Sequence, residues 1–86
     1  MPAHDPARVK LVVPDLGLAG VPLAVSLWLV PLGAAVAAGD RVVELVAGGA
    51  TIDLDAPVTG RLVATLIDED EPVETGRAIA EFEGSA

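Results

Sequence analysis

Cysteine is absent from this chain, and with it go disulfide staples, thiolate metal ligands and thiol nucleophiles. Its absence leaves the redox compartment open. Histidine occurs once, as His4 near the amino terminus, where it has no partners to complete a metal site, so no metal is expected. Aromatic residues amount to Trp28 and Phe82, which leaves no platform for stacking bases. Five basic residues against thirteen acidic ones give a net charge of -8, which opposes approach to a phosphate backbone. Nucleic acid is therefore excluded as a partner. The acidic balance serves either solubility alone or attraction to a basic protein surface. Charge is also missing from Leu16 to Gly39, a run of 24 residues long enough for a membrane-spanning helix. Pro22 and Pro31 interrupt that run, Gly17, Gly20 and Gly33 weaken it as a helix, and no basic cluster flanks it. The residues ahead of it, His4 to Lys10, do not form the positive leader of a secretory signal. Neither a membrane span nor a signal is expected, and the chain reads as a cytoplasmic domain.

What is present is a dense supply of small apolar residues. At 86 residues and 52% hydrophobic, the chain can bury one core, so a single domain is expected over residues 9–83. Residues 1–8 read as a flexible leading segment and 84–86 as a short tail. The sequence also repeats. A shift of 37 positions lays Val36, Gly39, Val42, Glu44 and Leu45 on Val73, Gly76, Ile79, Glu81 and Phe82. The same shift lays Val21, Val25, Leu29 and Val30 on Val58, Leu62, Leu66 and Ile67. Two copies of such a unit, each too small to bury its own apolar face, pair into one core with approximate two-fold symmetry.

Short apolar or alternating runs give the elements: Val9–Val13, Leu23–Val30, Arg41–Val46, Thr51–Leu54, Arg61–Ile67 and Ala78–Phe82. In the fourth, Ile52 and Leu54 share one face while Thr51, Asp53 and Asp55 share the other, the mark of a half-buried strand. Pro14, Pro22, Pro31, Pro57 and Pro72 fall at strand boundaries or edges, where a missing N–H is tolerated. Ala47, Gly48 and Gly49 separate two of the runs, and the glycine pair supplies the positive φ of a tight hairpin tip. The expected fold is all-β: a flattened barrel or sandwich of two roughly four-stranded antiparallel sheets, about eight strands in all, with the internal quasi-two-fold repeat.

Several stretches, taken in order, resemble a known family. Val12-Val13-Pro14-Asp15-Leu16-Gly17 is similar to the opening strand and turn of lipoyl domains. Trp28-Leu29-Val30 followed by Gly33 is similar to their second strand. Val36 to Asp40, Ala56-Pro57-Val58-Thr59-Gly60, and Val73 to Gly76 leading into Ala78-Ile79-Ala80 continue the likeness from about Val9 to Glu83. The resemblance implies the lipoyl/biotinyl barrel-sandwich hybrid. It also implies a central hairpin whose tip lysine is amidated by lipoate or biotin, so that the arm carries an acyl, aminomethyl or carboxyl group. Here Gly48, Gly49 and Ala50 stand where the family places Asp-Lys-Ala or Met-Lys-Met, so the attachment residue is missing and no cofactor is expected. Lys10, the only lysine, belongs to the first strand, where a charge discourages edge-to-edge pairing.

Other chemistry finds no constellation. Ser26 and Thr51 lack a base to activate them, and Asp53 and Asp55 read as surface carboxylates with nothing to separate their roles. Where the family intersperses charges in and after the second strand, this chain has Leu27, Pro31, Leu32, Ala34, Ala35, Ala37 and Ala38, so that Leu27 beside Trp28, with Leu32, either forms a protein contact or is simply tolerated. Asp68, Glu69, Asp70 and Glu71 form an acidic turn in the opposite half, mirroring Leu32 to Ala35, with Asp70 at a position where the family prefers glycine. That turn is either solvated or docks a partner. Two function classes remain. One is a non-catalytic lipoyl-like module that serves as a structural or docking element of a dehydrogenase or carboxylase system, or that associates with itself. The other is a genuine acyl or carboxyl carrier attached elsewhere or acting beside a modified partner.

Overall fold

The computed structural model describes residues 8–84, which form eight strands and no helix. These are β1 (Arg8–Val12), β2 (Leu23–Trp28), β3 (Ala35–Val36), β4 (Arg41–Ala47), β5 (Ala50–Asp55), β6 (Gly60–Thr65), β7 (Pro72–Val73) and β8 (Ala78–Gly84). They assemble into two four-stranded sheets, ordered β1-β8-β6-β3 and β5-β4-β2-β7, with every pairing antiparallel. Six strands coincide with the six apolar runs to within a few residues. The other two, β3 and β7, have two residues each and offer no period to read. Strand pairing includes Arg8 and Gly84, which lie opposite Glu83 and Gly60 respectively. His4 and Ser85 lie outside the described residues.

The repeat is visible bond by bond. Gly33 N donates to Leu62 O at 2.7 Å, and 37 residues on Asp70 N donates to Val25 O at 2.7 Å. Leu62 N to Ala34 O and Val25 N to Glu71 O, both 3.0 Å, form a second such pair, and Leu29 N to Val42 O and Leu66 N to Ile79 O, both 2.9 Å, a third. Gly33 (φ 91) and Asp70 (φ 70) occupy the same left-handed position, so Asp70 takes the backbone geometry the sequence predicts for it. The register irregularity at Val25/Leu27 recurs at Leu62/Ala64 under the same shift. Each half thus contributes strands to both sheets, and neither closes a core alone.

The core lies between the sheets. Phe82, Leu45, Leu62, Ile79, Val13, Val25, Val42 and Val43 are fully buried, and no polar or charged side chain is buried with them among the described residues. Leu45 and Phe82, Val42 and Ile79, and Val25 and Leu62 are repeat partners, so the two halves fill the interior with equivalent side chains. On β5, Leu54 is buried and Ile52 half-buried, while Thr51, Asp53 and Asp55 face water, as their alternation predicts.

Gly60 marks a point where two backbones approach closely, since a Cβ there would run into the carbonyl of Glu83 on the neighbouring β8. A side chain therefore requires the β6–β8 ladder to move. Gly60→Ala should cost about 1–3 kcal/mol, the range for overpacking a fitted site. Urea unfolding checks this, and an unchanged midpoint would contradict the close approach.

Candidate functional site

The hairpin between β4 and β5 is a two-residue connection. Ala47 pairs with Ala50, and Gly48 and Gly49 alone span the reversal. Gly48 has φ 60, whereas Gly49 is outside the left-handed region. This is the φ pattern of a type II′ turn, which needs glycine at its first central position. The expectation that both glycines supply positive φ thus holds for Gly48 only, because a type II′ reversal asks for one such residue. A Cβ built on Gly48 would meet Val21 Cγ1 at 3.7 Å, and one built on Gly49 meets nothing within 4 Å. Position 49 is accordingly an open, sterically permissive point at the end of a rigid ladder.

A prosthetic group held by an amide bond needs an amine, and the tip offers only backbone and hydrogen at Gly48 and Gly49 and a methyl at the exposed Ala50. Lys10 does not substitute for it. It sits in the middle of β1, the edge strand of the other sheet, opposite Glu81. The residues present at the tip do not fit covalent attachment. No group of His, Cys, Asp or Glu among the described residues is placed to hold a metal ion. Asp53 forms a 3.7 Å ion pair with Arg41 on the outer face of its sheet. Beside the tip, the loop from Asp15 to Pro22 and residues Pro72–Thr75 border an open cleft of about 810 Å³, lined mainly by Leu16, Leu18, Val21, Leu23 and Val73.

The residues read as a partner surface separate into two places. Leu27 points outward from β2 and is 46% exposed. Trp28, the next residue, turns inward against the core and donates from Nε1 to Ile67 O at 3.1 Å. The acidic turn lies directly alongside. Glu69 Oε2 accepts from Trp28 N at 3.0 Å, and Glu71 Oε1 accepts from Asp68 N at 2.9 Å. Two of the four carboxylates therefore brace backbone, and the turn that belongs to the second half by sequence is bonded to the second strand of the first. Leu32, 63% exposed, lies instead in the equivalent turn Pro31–Ala34, against β6. There Arg61 Nη1 donates to Gly33 O at 2.6 Å. Sequence reasoning missed Arg61, and only the sheet register brings it to that turn.

Comparison with known proteins gives consistent likenesses. The family described as "Biotin-requiring enzyme" matches residues 9–82. The dihydrolipoyllysine-residue acetyltransferase component of the pyruvate dehydrogenase complex of Corynebacterium glutamicum is 29% identical over 79 residues, 92% of this chain and 12% of that protein. The dihydrolipoyllysine-residue succinyltransferase component of the 2-oxoglutarate dehydrogenase complex of Bartonella vinsonii subsp. berkhoffii is 32% identical over 74 residues, 86% of this chain and 18% of that protein. A solved single-chain, multi-domain long-chain acyl-CoA carboxylase superposes with a TM-score of 0.75 at 26% identity, covering all of this chain and 8% of its own. The chain thus spans less than a fifth of each of these proteins.

The turn geometry makes the two tip glycines unequal. Gly48→Ala should destabilise by about 1–2 kcal/mol, the cost of a left-handed residue with a Cβ. Gly49→Ala should stay within about 0.5 kcal/mol, as for an ordinary surface change. Paired urea titrations check the difference, and equal losses would refute the assignment of the turn.

Proposed function

The chain belongs to the biotin/lipoyl domain family, whose members are carrier domains rather than catalytic ones, and from that premise we propose that it is a carrier scaffold without its arm. It acts as a structural or docking module associated with a 2-oxo-acid dehydrogenase or carboxylase system, inside the cell and without lipoate or biotin of its own. The observation that carries this reading is the tip. The family's hairpin is retained as a two-residue reversal, while Gly48-Gly49 supplies no amine and the sole lysine lies in mid-strand on the other sheet. The matched relatives, components of dehydrogenase complexes, and the carboxylase likeness support the choice of system. What remains for such a domain is its outer surface, where Leu27 and Leu32 are exposed and four carboxylates stand together at 68–71.

Intact-mass spectrometry after co-expression with lipoate and biotin ligases tests the reading. No mass increase is expected. Addition of one lipoyl or biotinyl group would instead establish the alternative, a working carrier with its attachment point elsewhere. The open space around position 49 makes the converse experiment clean. Gly49→Lys should fold as the parent does and become a ligase substrate. A folded but unmodified Gly49→Lys would mean that more than the amine has been lost.

A further inference from the structure

The two turns that the internal symmetry makes equivalent, Pro31–Ala34 and Asp68–Glu71, occupy matching positions and make matching backbone bonds. Their chemistry is opposite. The first carries no charge, exposes Leu32, and has Arg61 bonded across it at Gly33 O. Arg61 is itself exposed and has no carboxylate within ion-pair distance among the described residues. The second carries four carboxylates with no base paired to any of them among the described residues, and Leu27 is exposed beside it on the outer face of β2. Each surface presents an unpaired charge of one sign next to an exposed leucine, and each has the charge the other lacks.

We propose that this domain binds a second copy of itself head to tail, with the Leu32 turn and Arg61 of one copy seated on the acidic turn and Leu27 of the next. A symmetric contact is disfavoured at either patch, because it sets four carboxylates against four, or one arginine against another. The contact therefore joins unlike patches; it closes into a two-fold pair where both unlike pairs meet at once, and propagates into short chains or a ring where only one does. The net charge of -8 on each copy opposes association at a distance. At about 0.15 M salt that repulsion is screened beyond about 8 Å, while the contacting charges are closer than that. The patches are small, which makes the association weak and reversible. The proposal rests on the docking part of the reading above and not on the missing amine. An attached cofactor would overturn the latter and leave self-association standing.

Sedimentation of the 86-residue chain from micromolar to millimolar concentration tests it. At about 0.15 M salt the weight-average mass should rise above the 8.7 kDa monomer with concentration, and at about 1 M salt it should return towards the monomer. Arg61→Glu and Asp68→Lys, each checked for folding by circular dichroism, should both associate more weakly alone than the parent chain. Mixed in equal amounts they should associate more strongly than either alone, because the first variant keeps its acidic turn and the second keeps its arginine. Leu32→Ser, at a solvent-exposed position, provides a variant without risk to the fold and should also weaken association. A wild-type chain that stays monomeric to millimolar concentration overturns the proposal. So does association that strengthens at high salt, or a mixture of the two variants that associates no more than either does alone.

Discussion

The fold depends on a reciprocal exchange of backbone bonds between its halves. Gly33 and Ala34, in the first half, bond to Leu62 in the second, and Asp70 and Glu71, in the second half, bond to Val25 in the first. Because each half reaches across to finish the other's sheet, neither β2 nor β6 has a complete set of neighbours unless both halves are in place. A half-length chain would leave Leu45 or Phe82 facing water, and burying a side chain of that size is worth roughly 1.5–3 kcal/mol. Stability in so small a domain is thus collective. The hairpin tip stands at the end of a strand, β4, that lies inside its sheet, which explains how two glycines can form a well-defined reversal.

Much of this was legible in the amino-acid order because the repeat and the apolar alternation are local signals. Val42 and Ile79, or Leu45 and Phe82, announce their equivalence by spacing alone, and Ile52 and Leu54 announce their face by period. The two-residue strands were not legible. Ala35–Val36 and Pro72–Val73 are extended only because β6 and β2 are beside them. The division of labour between Leu27 and Trp28 was hidden for a similar reason. The irregularity at Val25/Leu27 decides which residue turns inward, and it is a property of the pairing rather than of the residues.

At the candidate site the same distinction applies. That Gly48, Gly49 and Ala50 carry no amine is a fact of the sequence, visible without coordinates. That Gly48 and Gly49 have different backbone requirements is not, since either order of turn accepts two glycines. The acidic turn offered charge but no address. Its place beside β2 follows from the bond between Asp70 N and Val25 O, a contact between residues 45 positions apart. Arg61, an unremarkable cation in sequence, acquires a role only through the register that sets Arg61 against Ala35.

The shift of 37 residues that carries β4 onto β8 also carries Ala47, the last residue before the hairpin tip, onto Gly84. In the sheet of β1 and β8 the place of the tip is therefore taken by the two ends of the folded segment, and Arg8 and Glu83 already sit side by side there. Topologically the folded segment is a loop open at one point, and that opening and the glycine reversal occupy equivalent positions. A permuted segment, with Gly84 linked to Arg8 and the backbone opened between Gly48 and Gly49, would retain every strand pairing of the present one.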